Sequence, residues 1–163
     1  MSLKVFCVGG TIDKIYFDAK SKYEVGAPAI GKMLGELPVH LDTTVTALMA
    51  KDSLEMTDAD RAHVVQAVND SPHRKIIITH GTDTMPETAR ALLSGASGKT
   101  IVLTGALAPA IFRDSDAMFN VGCALAAVQC CDEGVYIAMN GQIFNGDNVR
   151  KDVENDRFVE LNA

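Results

Sequence analysis

The chain has no tryptophan, and aromatic residues make up only 6% of it, so any core must be built from aliphatic side chains. It lacks an apolar run of the 18 or so residues that a membrane-spanning helix needs. No stretch clusters Lys and Arg, and the formal net charge is -6, which argues against nucleic acid or an anionic membrane as the main partner. The four cysteines, Cys7, Cys123, Cys130 and Cys131, form no C-x-x-C pair. Disulfides and a zinc knuckle are therefore not expected, and buried thiols are. His40, His63, His73 and His80 lack the i, i+4 spacing that puts two imidazoles on one helix face, so no metal is expected. Nothing marks the chain for export, and a cytoplasmic location is the expectation. Proline-rich linkers, internal repeats and low-complexity tracts are missing too.

What is present is an alternation. With 163 residues, 47% of them hydrophobic, a single domain over 1–163 is expected. Apolar β-rich runs occur at Lys4 to Val8, Thr43 to Ala50, Lys75 to Thr79, Thr100 to Thr104 and Gly134 to Met139. Helical patterns separate them at Ala29 to Leu37, Asp58 to Asn69 (capped by Thr57), Met85 to Leu93 and Ser115 to Val128. In the last of these Met118, Val121, Leu125 and Val128 form the expected buried stripe. Alternation predicts an α/β fold: one doubly wound, mostly parallel sheet in the flavodoxin-like order 2-1-3-4-5, with helices on both faces. Asn140-Gly141 and Asn145-Gly146 read as tight turns around a short C-terminal β-hairpin at Gln142 to Phe144. The charged tail from Lys151 to Glu160 reads as peripheral.

Two apolar runs end in hydroxyl-bearing loops, Gly9-Gly10-Thr11-Ile12 and His80-Gly81-Thr82-Asp83-Thr84. In an open parallel sheet the crevice beyond the carboxyl ends of neighbouring strands is where ligands bind. A threonine hydroxyl needs a proton acceptor and oxyanion donors to act as a nucleophile at neutral pH. Thr82, Asp83 and Lys151 are candidates for such a relay, with Thr11 or Thr82 attacking a carboxamide or acyl carbon. Gly9, Gly10 and Gly81 let backbone approach a substrate closely. The plain alternative for the second loop is helix capping, but Thr84 and Glu87 already read as a capping box. Lys151 alone, within Arg150-Lys151-Asp152, reads as a solvated charge.

Gly9-Gly10-Thr11-Ile12, His80-Gly81-Thr82-Asp83-Thr84-Met85 and Glu87-Thr88-Ala89 closely resemble the two signatures of the bacterial-type L-asparaginase/glutaminase family. Tyr23-Glu24-Val25-Gly26, Asp52-Ser53-Leu54-Glu55-Met56-Thr57, Gly105-Ala106 with Pro109, Asn120, and Gly146-Asp147 before Lys151 continue the match in order. The likeness spans nearly the whole chain and corresponds to the family's N-terminal domain alone, with no counterpart of its C-terminal domain. It implies an amidohydrolase that releases ammonia from L-asparagine or a related carboxamide through an acyl-threonine intermediate. It implies Thr11 as the nucleophile, Tyr23 on a mobile loop as its hydrogen-bond partner, and Thr82, Asp83 and Lys151 as a second triad. Gly10, Ser53, Thr82 and Asp83 would bind the substrate, Ser53 its α-carboxylate and Asp83 its α-amino group. No cofactor is implied. The expected partners are a small amino-acid amide and further copies of the chain in a homo-oligomer. Leu54 stands where members commonly carry a polar residue, Leu107-Ala108 where they have Met and a polar residue, and Pro86 where an acidic residue is common. Two alternatives stand beside hydrolysis: a non-catalytic aspartate-binding module, and one subunit of a larger amidase assembly.

Overall fold

Ile76, Ile77 and Ile78 are consecutive and all fully buried, which a strand achieves only when both faces are covered. The computed structural model describes residues 1–162 and shows how. In chain order the strands and α-helices are β1 (Ser2–Gly9), β2 (Lys14–Phe17), β3 (Lys22–Val25), α1 (Ala29–Glu36), β4 (Asp42–Lys51), α2 (Asp58–Asp70) and β5 (Lys75–Thr79). They continue with α3 (Met85–Gly95), β6 (Thr100–Thr104), α4 (Ala117–Cys130), β7 (Gly134–Met139), β8 (Gln142–Asn145), β9 (Val149–Asp152) and β10 (Arg157–Glu160). The main sheet has the order β4-β1-β5-β6-β7-β8. Its first five strands are parallel and β8 joins antiparallel at the edge. The five apolar runs thus lie in the expected 2-1-3-4-5 order, with one further edge strand.

Side chains alternate between two cores. Phe6, Val8, Ile76, Ile78, Ile101, Leu103 and Ile137 face α2 and α3, while Val5, Cys7, Ile77, Val102 and Ala138 face α1 and α4. Each fully buried isoleucine contributes about 1.5–3 kcal/mol, so a register slip in β5 would exchange residues between two packed layers.

Local chemistry sets most boundaries. Thr57 caps α2 as expected: its hydroxyl accepts from Asp60 N at 3.2 Å and its N–H donates to the Asp60 carboxylate at 2.8 Å. Thr84 does not form the expected capping box. Its hydroxyl instead donates to Ser53 O at 2.8 Å, and Glu87 pairs with Arg90. Pro86 lies in the first turn of α3, where its missing N–H leaves one donor fewer to cap. On α4 the buried stripe is Ala117, Val121, Ala124 and Val128, with Met118 45% exposed. Val121 and Val128 stay in the expected stripe, while Ala117 and Ala124 take the places expected for Met118 and the half-buried Leu125.

Asn140 and Gly141, with φ of 54° and 76°, form the tight turn between β7 and β8. Beyond it the tail is not peripheral. β9 and β10 form a second hairpin whose Phe158 is buried against Phe144, with ring centroids 6.5 Å apart. One inward Phe anchors the charged tail. Cys7 is buried, and burial pushes its thiol up to about 11, whereas Cys130 is exposed. The expectation of uniformly buried thiols fails at the end of α4. Among the described residues no helix is long and apolar enough to cross a membrane.

Candidate active site

Strands β4, β1 and β5 are neighbours, so the loops that follow them open on one edge of the sheet. Gly10 sits at φ 87°, and a Cβ there would lie 2.3 Å from Gly81 Cα. A Cβ on Gly81 would in turn lie 2.7 Å from Ser53 Oγ. Only glycine permits these approaches. The Gly10 N–H is fastened to Lys51 O at 2.9 Å. Three loops are therefore packed backbone to backbone, and Thr11, Ser53 and Thr82 follow directly from the contact points.

On the β5 side the site is assembled from buried groups. Lys151 Nζ donates to Thr82 Oγ1 at 2.8 Å and to Asp83 Oδ1 at 2.6 Å. The lysine side chain is 9% exposed and that of Asp83 36%, so the carboxylate keeps access to solvent. Lys151 reaches the site because it lies opposite Phe158 in the β9–β10 register, and Phe158 is pinned by its burial and by its N–H donating to Asn140 Oδ1 at 2.9 Å. Ser53 is buried, and its hydroxyl accepts the Thr84 N–H at 3.4 Å.

His80 lies fully buried beneath this loop. Its Nδ1 faces Gly81 O at 2.7 Å and its Nε2 faces the Thr88 hydroxyl at 2.8 Å. A carbonyl can only accept, so Nδ1 carries the proton and Nε2 accepts from Thr88. Burial pushes the imidazole down to about 4, with the bond to Gly81 opposing and Arg61 adding to the shift. The ring is neutral and holds the Gly81 peptide in place.

The β1 side is built differently. Thr11 opens a 3-10 turn, Thr11–Asp13, and is half-buried. Tyr23 lies in β3, which pairs only with β2 as a two-stranded hairpin outside the main sheet. Its ring is 48% exposed and packs between Tyr16, at 5.5 Å, and Phe112, at 5.9 Å between centroids. Among the described residues no hydrogen bond joins its hydroxyl to Thr11, and the segment carrying it is a hairpin strand rather than an irregular loop. A cleft of about 380 Å³, lined by Lys14, Tyr23, Asp52 and Glu55 among others, separates this hairpin from β4. Asp52 there pairs with Lys14 at 2.9 Å. Burial resists ionisation of Asp52, but the bonds from Lys14 and the Leu54 N–H and the charges of Lys14 and Lys151 hold its carboxyl below the usual range.

Gly10, Ser53, Thr82, Asp83 and Lys151 are thus brought together, with Thr11 at their edge and Tyr23 outside the hydrogen-bonded group. Asp13 and Asp116 are supporting residues that sequence reasoning did not single out, and His80 and Thr88, which lie within the quoted motifs, were given no role there. Asp116 accepts from Leu107 N at 3.0 Å and Ala108 N at 3.1 Å and from Asn120 Nδ2 at 2.8 Å. The backbone of Leu107-Ala108 is what the fold holds, so their side chains are free to differ. Leu54 is 73% exposed beside buried Ser53. Among the described residues no three His, Cys, Asp or Glu side chains gather as a metal-ligating group.

The chain is similar to known proteins in sequence and in fold. The sequence is 28% identical over 160 residues to L-asparaginase 2 of Escherichia coli, covering 92% of this chain and 46% of that protein. It is 34% identical over 109 residues to the glutaminase-asparaginase of Acinetobacter glutaminasificans, covering 62% of this chain and 33% of that one. Among solved structures, the thermostable L-asparaginase from Thermococcus kodakarensis superposes with a TM-score of 0.87 at 27% identity, covering all of this chain and 52% of that one. The probable cytoplasmic L-asparaginase from Campylobacter jejuni gives 0.82 at 28% identity, covering 97% and 52%. A probable periplasmic L-asparaginase of Haemophilus influenzae is also similar, at 28% identity over 160 residues. The chain spans about half the length of the relatives it matches. The family described as asparaginase, N-terminal, matches residues 2–158: this chain belongs to the asparaginase family, over the span of its N-terminal domain.

Proposed function

We propose that this chain carries the nucleophilic half of an amidohydrolase site that releases ammonia from L-asparagine or a related carboxamide. The observation that carries the reading is the pair of contacts from Lys151 Nζ to Thr82 and Asp83, set where the Gly10 and Gly81 loops touch. In this reading Thr11 Oγ bonds to the amide carbon. Its proton is taken up by the relay of Thr82, Asp83 and Lys151 and is returned to the leaving nitrogen, which departs as ammonia. Water then cleaves the acyl–threonine ester along the same relay. Asp83 orients the lysine and faces the crevice, where an α-amino group would sit. Ser53, whose hydroxyl accepts the Thr84 N–H, keeps its own proton to donate to an α-carboxylate. The test is ammonia release from a panel of amides by the wild type and by Thr11→Ala. Equal rates in the two would end this reading.

A second reading, an aspartate-binding module without turnover, is favoured by one observation: Leu54 exposes apolar surface next to Ser53, where a carboxylate would prefer a polar neighbour. Calorimetric binding of aspartate with no hydrolysis of asparagine would select it. In either case Tyr16, Tyr23, Ile111, Phe112, Met118 and Phe119 expose apolar surface, with Tyr23 and Phe112 in mutual contact. We propose that a further protein surface covers this rim, a second copy of the chain being the simplest candidate. Size-exclusion chromatography with light scattering reads this directly, and a monomer at all concentrations would exclude the second copy.

A further inference from the structure

Asp13 is a buried carboxylate that the proposed chemistry leaves unused, and its bonds are unusually placed. It is 3% exposed. Its Oδ1 accepts from Ala29 N at 2.8 Å, and its main-chain oxygen accepts from Gly26 N at 2.7 Å. The first donor is the opening N–H of α1, whose preceding residue, Pro28, has no side-chain oxygen to offer as a cap. The second lies just past the end of β3, where a Cβ on Gly26 would come within 3.3 Å of Asp13 O and 3.1 Å of Ile15. Asp13 itself immediately precedes β2. One residue therefore ties the base of the hairpin, at Gly26, to the start of α1, at Ala29.

The other ties between this hairpin and the domain are weaker. β2 and β3 pair with each other and with no strand of the main sheet. Lys14–Asp52 is an ion pair with both side chains more than a quarter exposed, and such pairs contribute little. The Tyr23–Phe112 edge contact is between two exposed rings. Meanwhile the Asp13 N–H donates to Gly10 O at 3.1 Å, so the same residue also closes the turn that presents Thr11.

We infer that Asp13 is a positioning residue: it clasps the base of the β2–β3 hairpin to the first turn of α1 and so sets where Tyr23 stands relative to Thr11. The inference rests on the reading of Tyr23 as the partner of Thr11. The clasp itself is a matter of hydrogen-bond geometry. It requires an acceptor at position 13 and a donor at position 29, and it does not require charge.

Hydrogen exchange monitored by mass spectrometry on the intact protein tests it, with three variants. Asp13→Ala removes the acceptor. Ala29→Pro removes the donor at a first helical position where proline is tolerated, and serves if Asp13→Ala does not fold. Asp13→Asn keeps an oxygen in place. The expected result is exchange about tenfold faster over residues 15–26 in Asp13→Ala and Ala29→Pro, with β1 and β5 unchanged and Asp13→Asn close to wild type. Unchanged exchange in 15–26, or acceleration shared equally with β1 and β5, would overturn the clasp. Amide hydrolysis adds a readout that a merely structural role would not move: the loss caused by Ala29→Pro should largely vanish in a Tyr23→Phe background. A loss of equal size in both backgrounds would refute a role through Tyr23. If the wild type hydrolyses no amide, the proposed function falls while the exchange comparison still decides the clasp.

Discussion

The two sides of the crevice are held by opposite means. On the β5 side, Thr82, Ser53, His80 and Lys151 are nearly inaccessible, and each is held by bonds of 2.6–3.4 Å: Lys151 to Thr82 and Asp83, His80 to Gly81 and Thr88, and Ser53 to Thr84. On the β1 side, Tyr23 is half exposed on a hairpin that no main-sheet strand supports. Under the proposed function the difference teaches a division of labour. Groups that hold and move a proton must be preorganised, because misplacement by 1 Å erodes the rate steeply. The part that admits the substrate has to be accessible. The buried ionisable residues repeat the contrast. His80 is a neutral base kept neutral, whereas Asp13 is an acid that burial pushes up to about 6, with the Ala29 N–H opposing.

The largest expected effects break one side at a time. Thr11→Ala should lower ammonia release by at least about 10³-fold, since in the proposed reaction no other group takes the acyl bond. Lys151→Met, which fills a similar volume without a base, should lower it by about 10²–10⁴-fold while leaving aspartate binding measurable by calorimetry. If Lys151→Met retained full activity, the preorganised half would have no chemical task.

The next effects concern stability against pH, and the two sides should slope in opposite directions. The folded state depresses His80 from 6.5 to about 4, so its contribution is present above pH 6.5 and is lost as pH falls toward 4. The folded state raises Asp13 from 3.8 to about 6, so its contribution is present below pH 3.8 and is lost as pH rises through 6. Each amounts to roughly 3 kcal/mol. Denaturant titrations from pH 4 to 7 should show that Asp13→Asn gains on the wild type as pH rises, and that His80→Gln loses its steeper acid limb. Parallel curves for wild type and both variants would contradict this assignment. The smallest effect sharpens the comparison: Tyr23→Phe should cost about tenfold in kcat/KM, one hydrogen bond's worth, with no change in Tm.

The sheet was legible in the sequence because its strands are continuous apolar runs separated by helices of the right length; the 2-1-3-4-5 order came from the doubly wound topology such alternation favours, and the runs themselves do not encode it. The glycine-rich loops were legible because only glycine fits where Gly10 and Gly81 meet. What escaped notice were features with no local signature. The β2–β3 hairpin has neither a strong alternation nor an Asn-Gly turn; its turn uses Ser21 at φ 50°. Thr84 looked like a cap because its pattern with Glu87 is local, but its hydroxyl is claimed by Ser53 O from another loop. Asp13 and His80 gain their roles from partners that only the fold supplies. Lys151 could be promoted only by resemblance, since Phe158, the residue that turns it inward, acts across a hairpin.

Central to the proposed function is Thr11 as the acylated residue. Incubation of the chain with asparagine or an activated aspartyl analogue, followed by intact-mass measurement and peptide mapping, tests it most directly. The account predicts a single aspartyl adduct on the peptide containing Thr11, absent in Thr11→Ala and slower to clear in Lys151→Met. An adduct on Thr82, or turnover of the amide with Thr11 never modified and dispensable, would contradict it.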